Sequence, residues 1–122
     1  MSIRMIVIGC GHMGRSHARK VAARGDLDAS VTLHGVADLD AEAARALGAE
    51  LRTRGVADPR ELFPGADAAI VAVPTAEHFG VVRTALDAGL DVLVEKPIAA
   101  TLEQGEALPD AKWAFLTNHH LE

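Results

Sequence analysis

Ile6-Val7-Ile8-Gly9-Cys10-Gly11-His12-Met13-Gly14 is the stretch that decides how the rest of this sequence is read. Upstream, residues Ile3 to Ile8 are almost continuously apolar and β-branched, as in a strand covered on both faces of a parallel sheet. Downstream, Met13, Ala18, Val21 and Ala22 follow helical spacing to Arg24, and Gly25 is expected to stop that helix. A Gly-x-Gly-x-x-Gly run that leaves a buried strand and opens a helix has a physical rationale that the bare motif lacks. Gly9 permits the tight turn, Gly11 lets backbone approach a pyrophosphate, and Gly14 lets helix and strand pack closely. Orphan N–H groups and the positive end of the helix dipole then hold the anion.

Asp38 closes the next expected strand, Val31 to Ala37, and stands 24 positions after Gly14. An acid about 20 residues beyond the glycine run is placed to accept hydrogen bonds from the adenosine ribose. A 2'-phosphate there would meet the Asp38 charge, and neither Leu39 nor Asp40 offers a guanidinium to offset it. NAD is favoured over NADP, with Arg45 as the residue that keeps NADP in play. Asp38 read without a ligand is a helix N-cap, a role compatible with ribose binding.

Further elements follow the same alternation. Asp40 to Leu47 reads as a helix capped by Asp40 and stopped by Gly48. A short strand is expected near Leu51, and Pro59 to Phe63 suits one helical turn entered through Asp58. Asp67 to Val73 reads as a buried strand ended by Pro74, followed by a helix from a Thr75 cap to Ala88 with Gly89 as its stop. Val92 to Glu95 is a further strand. Thr101 with Gln104 makes a capping-box pattern for a helix to Leu108, broken by Pro109. Strands alternating with helices predict an α/β fold: a doubly wound parallel sheet of the Rossmann type in a single three-layer domain, with ligand at the carboxyl ends of the strands.

Composition narrows the function classes. At 122 residues the chain has room for one core, and with 49% apolar but only 3% aromatic residues that core is built from Ala, Val, Leu and Ile. The net charge is -5 with both signs interspersed, so no basic stripe tracks a nucleic acid. Cys10, the single cysteine, has no disulfide partner within the chain, which fits a cytoplasmic setting. No apolar run is long enough to span a bilayer. Cys10 lacks a neighbour placed to activate a thiolate, and His17 reads as structural. The adjacent His119 and His120 are not spaced as two ligands on one face, so no metal site is assigned.

The stretch Ala69-Ile-Val-Ala-Val-Pro74-Thr-Ala-Glu-His78, with Ala85-Leu-Asp-Ala-Gly89-Leu-Asp-Val-Leu-Val-Glu95-Lys96-Pro97, resembles the Gfo/Idh/MocA oxidoreductase family. The likeness covers about residues 3 to 108 and places Gly9, Gly11, Gly14 and Asp38 on that family's NAD fingerprint, with His12 and Met13 inside the same turn. It implies that Val73, Pro74, Thr75 and His78 lie beside the nicotinamide and that Glu95 and Lys96 line the same cleft. It implies further that Lys96 contacts the reacting hydroxyl or carbonyl of a sugar-like or polyol substrate, and that the Lys96-Pro97 peptide is cis. By residue type alone, Lys96 reads as a solvated lysine paired with Glu95, and the Glu-Lys-Pro setting reverses that reading.

Residues 1–108 are therefore expected to form a dinucleotide-binding unit, and residues 109–122 a divergent tail in which Trp113 to Thr117 form an edge strand. The substrate domain that the resemblance implies has no counterpart in this sequence, so the expectation for this chain is cofactor binding with little turnover. The competing expectation is a stand-alone dinucleotide-binding module or sensor, acting through a partner chain or as a homodimer joined by the apolar Trp113-Ala-Phe-Leu run.

Overall fold

A computed structural model describes residues 2–95 and 113–116. The elements run β1 (Ile3–Ile8), α1 (His12–Asp28), β2 (Val31–Ala37), α2 (Ala41–Leu51), β3 (Arg54–Val56), a 3₁₀ turn (Pro59–Leu62), β4 (Ala68–Val71), α3 (Thr75–Asp87), β5 (Asp91–Glu95) and β6 (Trp113–Leu116). They build one sheet in the order β3-β2-β1-β4-β5-β6. The first five strands are parallel, and β6 runs antiparallel against β5, pairing Glu95 with Trp113 and Val92 with Leu116. The expected α/β Rossmann architecture is present, with one antiparallel edge strand added to the parallel sheet.

Successive side chains on a strand point to opposite faces, and both faces are buried here. Ile6 and Ile8 of β1, Ala69 and Val71 of β4, and Val92 and Val94 of β5 pack with Val82, Ala85 and Leu90 on one side. Val7, Leu33, Val36 and Ile70 pack with Ala18, Ala44 and Leu47 of α1 and α2 on the other. The continuous β-branched runs are the sequence trace of this double coverage. Strand order reverses at β1, whose neighbours are β2 and β4. The loops leaving β1 and β4 therefore diverge to opposite faces, opening a crevice at their carboxyl ends.

Two expected glycine stops lie inside helices. Gly25 belongs to α1, where a side-chain carbon would come within 2.7 Å of the Val31 carbonyl oxygen as the chain doubles back. Gly48 belongs to α2, where such a carbon would meet Gly55 N and Thr53 O, each at 2.8 Å. Both glycines answer to close packing of helix on strand rather than to helix termination. The left-handed residues that do end these helices are Ala29 (φ 55°) and Arg52 (φ 58°). Gly89, with φ 92°, follows α3 as expected.

The other boundaries shift slightly. Asp40 caps α2 through its carboxylate, accepting from Glu42 N at 3.1 Å and Ala43 N at 3.2 Å, and Asp58 caps the 3₁₀ turn through Arg60 N at 3.0 Å. Thr75 is not a cap: Pro74 holds that position, and its carbonyl accepts from Glu77 N at 2.8 Å. The short strand expected near Leu51 lies at Arg54–Val56, because α2 continues through Leu51. The expected helix from Thr101 to Leu108, its Pro109 break, the Lys96-Pro97 peptide, His119 and His120 fall outside the described residues. Among the described residues, no helix is long and apolar enough to cross a membrane.

Replacing Gly48 tests the packing role. At an exposed helical site Gly→Ala gains up to about 1 kcal/mol. Here the new methyl meets backbone that cannot yield, so Gly48→Ala is expected to lower unfolding stability by about 1–3 kcal/mol in urea denaturation. A stabilised variant would contradict the packing account.

Candidate functional site

The crevice begins where β1 ends. Gly9 adopts φ +107°, a conformation that side chains rarely tolerate, and a methyl there would run into the Ala72 carbonyl at the end of β4. Its N–H donates to Ala37 O at 2.7 Å, while Ala72 N donates to Ile8 O at 2.8 Å. A methyl at buried Gly14 would strike the Gly9 carbonyl oxygen, so helix α1 starts in direct contact with the turn. Gly11 differs from both. Nothing lies within 4 Å of where its side chain would be, so its backbone faces open space.

Asp38 is fastened to the same turn. Its Oδ2 accepts from Cys10 N at 2.7 Å, and its Oδ1 accepts from Asp40 N at 2.8 Å. Cys10 is 4% exposed, and its Sγ donates to Ala37 O at 3.5 Å. Burial, reinforced by the negative charges of Asp38 and Asp40, pushes the Cys10 thiol up to about 11. The thiol stays protonated at neutral pH, in keeping with a packing role for this residue.

Between these parts lies a cavity of about 650 Å³, within the usual range for small-molecule sites. Its floor is Gly9, Gly11, His12 and Met13; one wall is Asp38 and Leu39, and another is Ala72, Val73 and Pro74. Glu77 and Val81, one turn apart on α3, line it together with Ala57 and Pro59. The lining is largely apolar, and its charged members are both acidic, Asp38 and Glu77. Arg45 sits exposed on α2, outside this lining, so among the described lining residues a 2'-phosphate finds no cation.

Helix α1 delivers its amino terminus to the floor of this cavity. Gly11 holds its N-cap position without a side-chain bond, and its first turn carries no acid. The orphan N–H groups and dipole there suit an anion such as a pyrophosphate. Open space at Gly11, the uncapped helix end and the Asp38 carboxylate together fit NAD, and the absence of a lining cation matches the unphosphorylated ribose.

Seven residues singled out in the sequence therefore meet around one cavity: Gly9, Gly11, His12, Met13, Asp38, Val73 and Pro74. Gly14 packs beneath it. Thr75 opens α3, His78 lies in its first turn and Glu95 ends β5, whereas Lys96 lies outside the described residues. Sequence reasoning missed Leu39, Ala57, Pro59, Ala72, Glu77 and Val81. For Glu77 and Val81 the i, i+4 spacing placed both on one helix face, but only the tertiary fold shows that this face meets the crevice.

Comparison with known proteins agrees with this geometry. Residues 3–112 match the family described as an oxidoreductase family with an NAD-binding Rossmann fold. UDP-N-acetylglucosamine 3-dehydrogenase of Acidithiobacillus ferrooxidans is 41% identical over 106 residues, which is 87% of this chain and 32% of that protein. A solved structure of that dehydrogenase superimposes with a TM-score of 0.77 at 39% identity, covering 88% of this chain and 34% of its own. The structure of myo-inositol dehydrogenase from Lactobacillus casei, in complex with NAD(H) and myo-inositol, gives a TM-score of 0.74 at 31% identity, covering 88% of this chain and 32% of its own. The chain thus spans about a third of the length of the relatives it matches.

The state of Cys10 is open to measurement. With its thiol pushed up to about 11, the thiolate fraction at pH 8 is about a thousandth. Alkylation by iodoacetamide is expected to be slower than in the denatured chain by at least about a hundredfold. Equal rates would show that the Cys10 side chain is accessible and ordinary.

Proposed function

The chain belongs to the Gfo/Idh/MocA oxidoreductase family by its NAD-binding Rossmann fold, and from that premise we propose that it holds NAD for hydride transfer with a sugar-like or polyol substrate. The observation that carries this reading is the crevice itself: a glycine turn, an uncapped helix start and an acid converge on one cavity at the switch point of the sheet. Relatives that act on UDP-N-acetylglucosamine and on inositol support the substrate class.

In this reading the adenosine ribose meets Asp38, with Leu39 beside it. Gly9, Gly11, His12 and Met13 would hold the pyrophosphate, with Gly14 bringing the helix end close. Val73, Pro74, Thr75 and His78 would hold the nicotinamide half, with Glu95 and Lys96 in the same cleft. The cofactor supplies the hydride acceptor or donor. Lys96 would donate a hydrogen bond to the substrate oxygen, polarising a carbonyl as it receives hydride, or stabilising the alkoxide of a hydroxyl whose proton passes to water. Residues 1–108 make the dinucleotide-binding unit, and residues 109–122 add the edge strand β6. Pairing of that edge with a second copy or a partner chain belongs to the same reading. A cytoplasmic setting accords with a lone thiol.

Calorimetric titration decides the cofactor. NADH is expected to bind and NADPH to bind at least about tenfold more weakly, because its 2'-phosphate faces Asp38 without a compensating cation. Binding of neither would end the reading, and a preference for NADPH would overturn the argument from Asp38. For catalysis, Lys96→Ala is expected to lower any turnover of an inositol and sugar-nucleotide panel, measured at saturating NAD, by about a hundredfold or more. Unchanged turnover would remove Lys96 from the chemistry.

A further inference from the structure

The parallel ladder between β1 and β2 ends at the pair Ile8 and Ala37. Beyond it the chain turns out of the sheet, yet the two segments stay joined. Gly9 N donates to Ala37 O at 2.7 Å, and the next amide, Cys10 N, donates to the Asp38 carboxylate at the same distance. The second of these bonds is made to a side-chain oxygen rather than to a backbone carbonyl. The carboxylate is itself held in place. Its second oxygen accepts from Asp40 N at 2.8 Å, and Asp38 N donates to Val56 O at 3.1 Å.

We propose that Asp38 is a positioning residue for the glycine turn, latching Cys10 so that Gly11 and the start of α1 keep the shape that receives a pyrophosphate. The inference rests on the reading of the cavity as a dinucleotide site and adds a second duty to an acid assigned to the ribose. A carboxylate offers about four acceptor sites. Cys10 and Asp40 occupy two, which leaves two for a ribose diol. The short Cys10 bond is of the charge-assisted kind, stronger than a neutral bond. Without it, a part-buried N–H between two glycines loses its partner and the turn relaxes. Ribose and pyrophosphate recognition are then coupled through one side chain. Asparagine is a partial substitute, since its single amide oxygen serves Cys10 or Asp40 but its NH2 group opposes the other donor.

The test separates the two duties with two ligands: NADH, and an NADH analogue whose adenosine ribose carries no 2' or 3' hydroxyl. If Asp38 served only the diol, Asp38→Ala would leave the analogue's affinity unchanged, and that result overturns the proposal. With the latch, the analogue weakens about tenfold in Asp38→Ala and by less in Asp38→Asn, while NADH, which also loses its diol contact, weakens about a hundredfold in Asp38→Ala. Amide hydrogen exchange without any ligand provides a readout independent of the cofactor. The Cys10 amide of the unmodified protein is expected to exchange at least about tenfold more slowly than in Asp38→Ala, with Asp38→Asn in between and strand β4 unaffected. A Cys10 amide that exchanges in the unmodified protein as fast as an exposed turn residue refutes the latch, even if the variants fail to fold. Should neither ligand bind the unmodified protein, the cofactor reading fails, and the exchange rates alone decide whether the latch exists.

Discussion

Where β1 ends, three backbone segments meet at distances that admit no side chain between them. The Gly9 turn passes against the Ala72 carbonyl at the end of β4, and α1 begins directly on the Gly9 carbonyl. A methyl at either Gly9 or Gly14 would have to push backbone rather than a flexible side chain, and such a shift would propagate into strands with no spare volume. β1 is the central strand of this arrangement, paired to β2 on one side and to β4 on the other. Its exit angle therefore sets where α1 leaves one face and, through Ala72, where α3 leaves the other. The crevice is a by-product of that divergence, and its floor is fixed before any ligand arrives.

The electrostatics of the crevice follow from the same geometry. A helix start brings partial positive charge to the floor, while the lining carries the carboxylates of Asp38 and Glu77 and no lysine or arginine among the described residues. Such a site suits a ligand whose negative charge is concentrated at one place, above the helix end, with neutral or hydrogen-bond-donating groups elsewhere. A dinucleotide with an unmodified adenosine ribose has that distribution. An additional phosphate towards Asp38 would meet only like charge. The apolar remainder, Val73, Pro74, Val81, Pro59 and the 82%-exposed Leu39, is the kind of surface that flat heteroaromatic rings cover.

Much of this was legible from the residues, and the failures have identifiable causes. β1 and β2 were readable to the residue because their carboxyl halves, Ile6–Ile8 and Gly35–Ala37, are buried and uncharged, and Gly9 to Gly14 were readable because strand, turn and helix impose separate demands on each glycine. Gly25 and Gly48 misled because glycine signals either a left-handed stop or a close approach, and only the position of Val31 or of Gly55 tells which. The three residues of β3 carry too short a pattern to separate from the end of α2. The direction of β6 was hidden for a different reason: a lone apolar strand pairs either way, and nothing local to Trp113–Leu116 distinguishes the two. In the site, Asp38 was legible by its spacing, whereas Leu39, Ala57 and Glu77 come from three different elements and meet only in three dimensions.

The distribution of helix caps links this fold to its ligand. Asp40 and Asp58 each satisfy backbone N–H groups at the starts of α2 and of the 3₁₀ turn. α1 begins on the cavity with a glycine at the cap position and no acid in its first turn. A side-chain cap there would contribute only a few tenths of a kcal/mol more than glycine does, so the free protein forgoes roughly that much stability at this helix start. An anion bound at the same place satisfies those N–H groups and restores the missing term. Binding and stability are thereby linked: a ligand that engages only the folded state raises its stability with concentration. A serine or aspartate at position 11 would cap α1 in the free chain. It would also fill the open space that Gly11 leaves and place an oxygen, or a full negative charge, at the proposed anion site. Glycine at this position keeps both the space and the helix N–H groups open, which is what the proposed anion site requires.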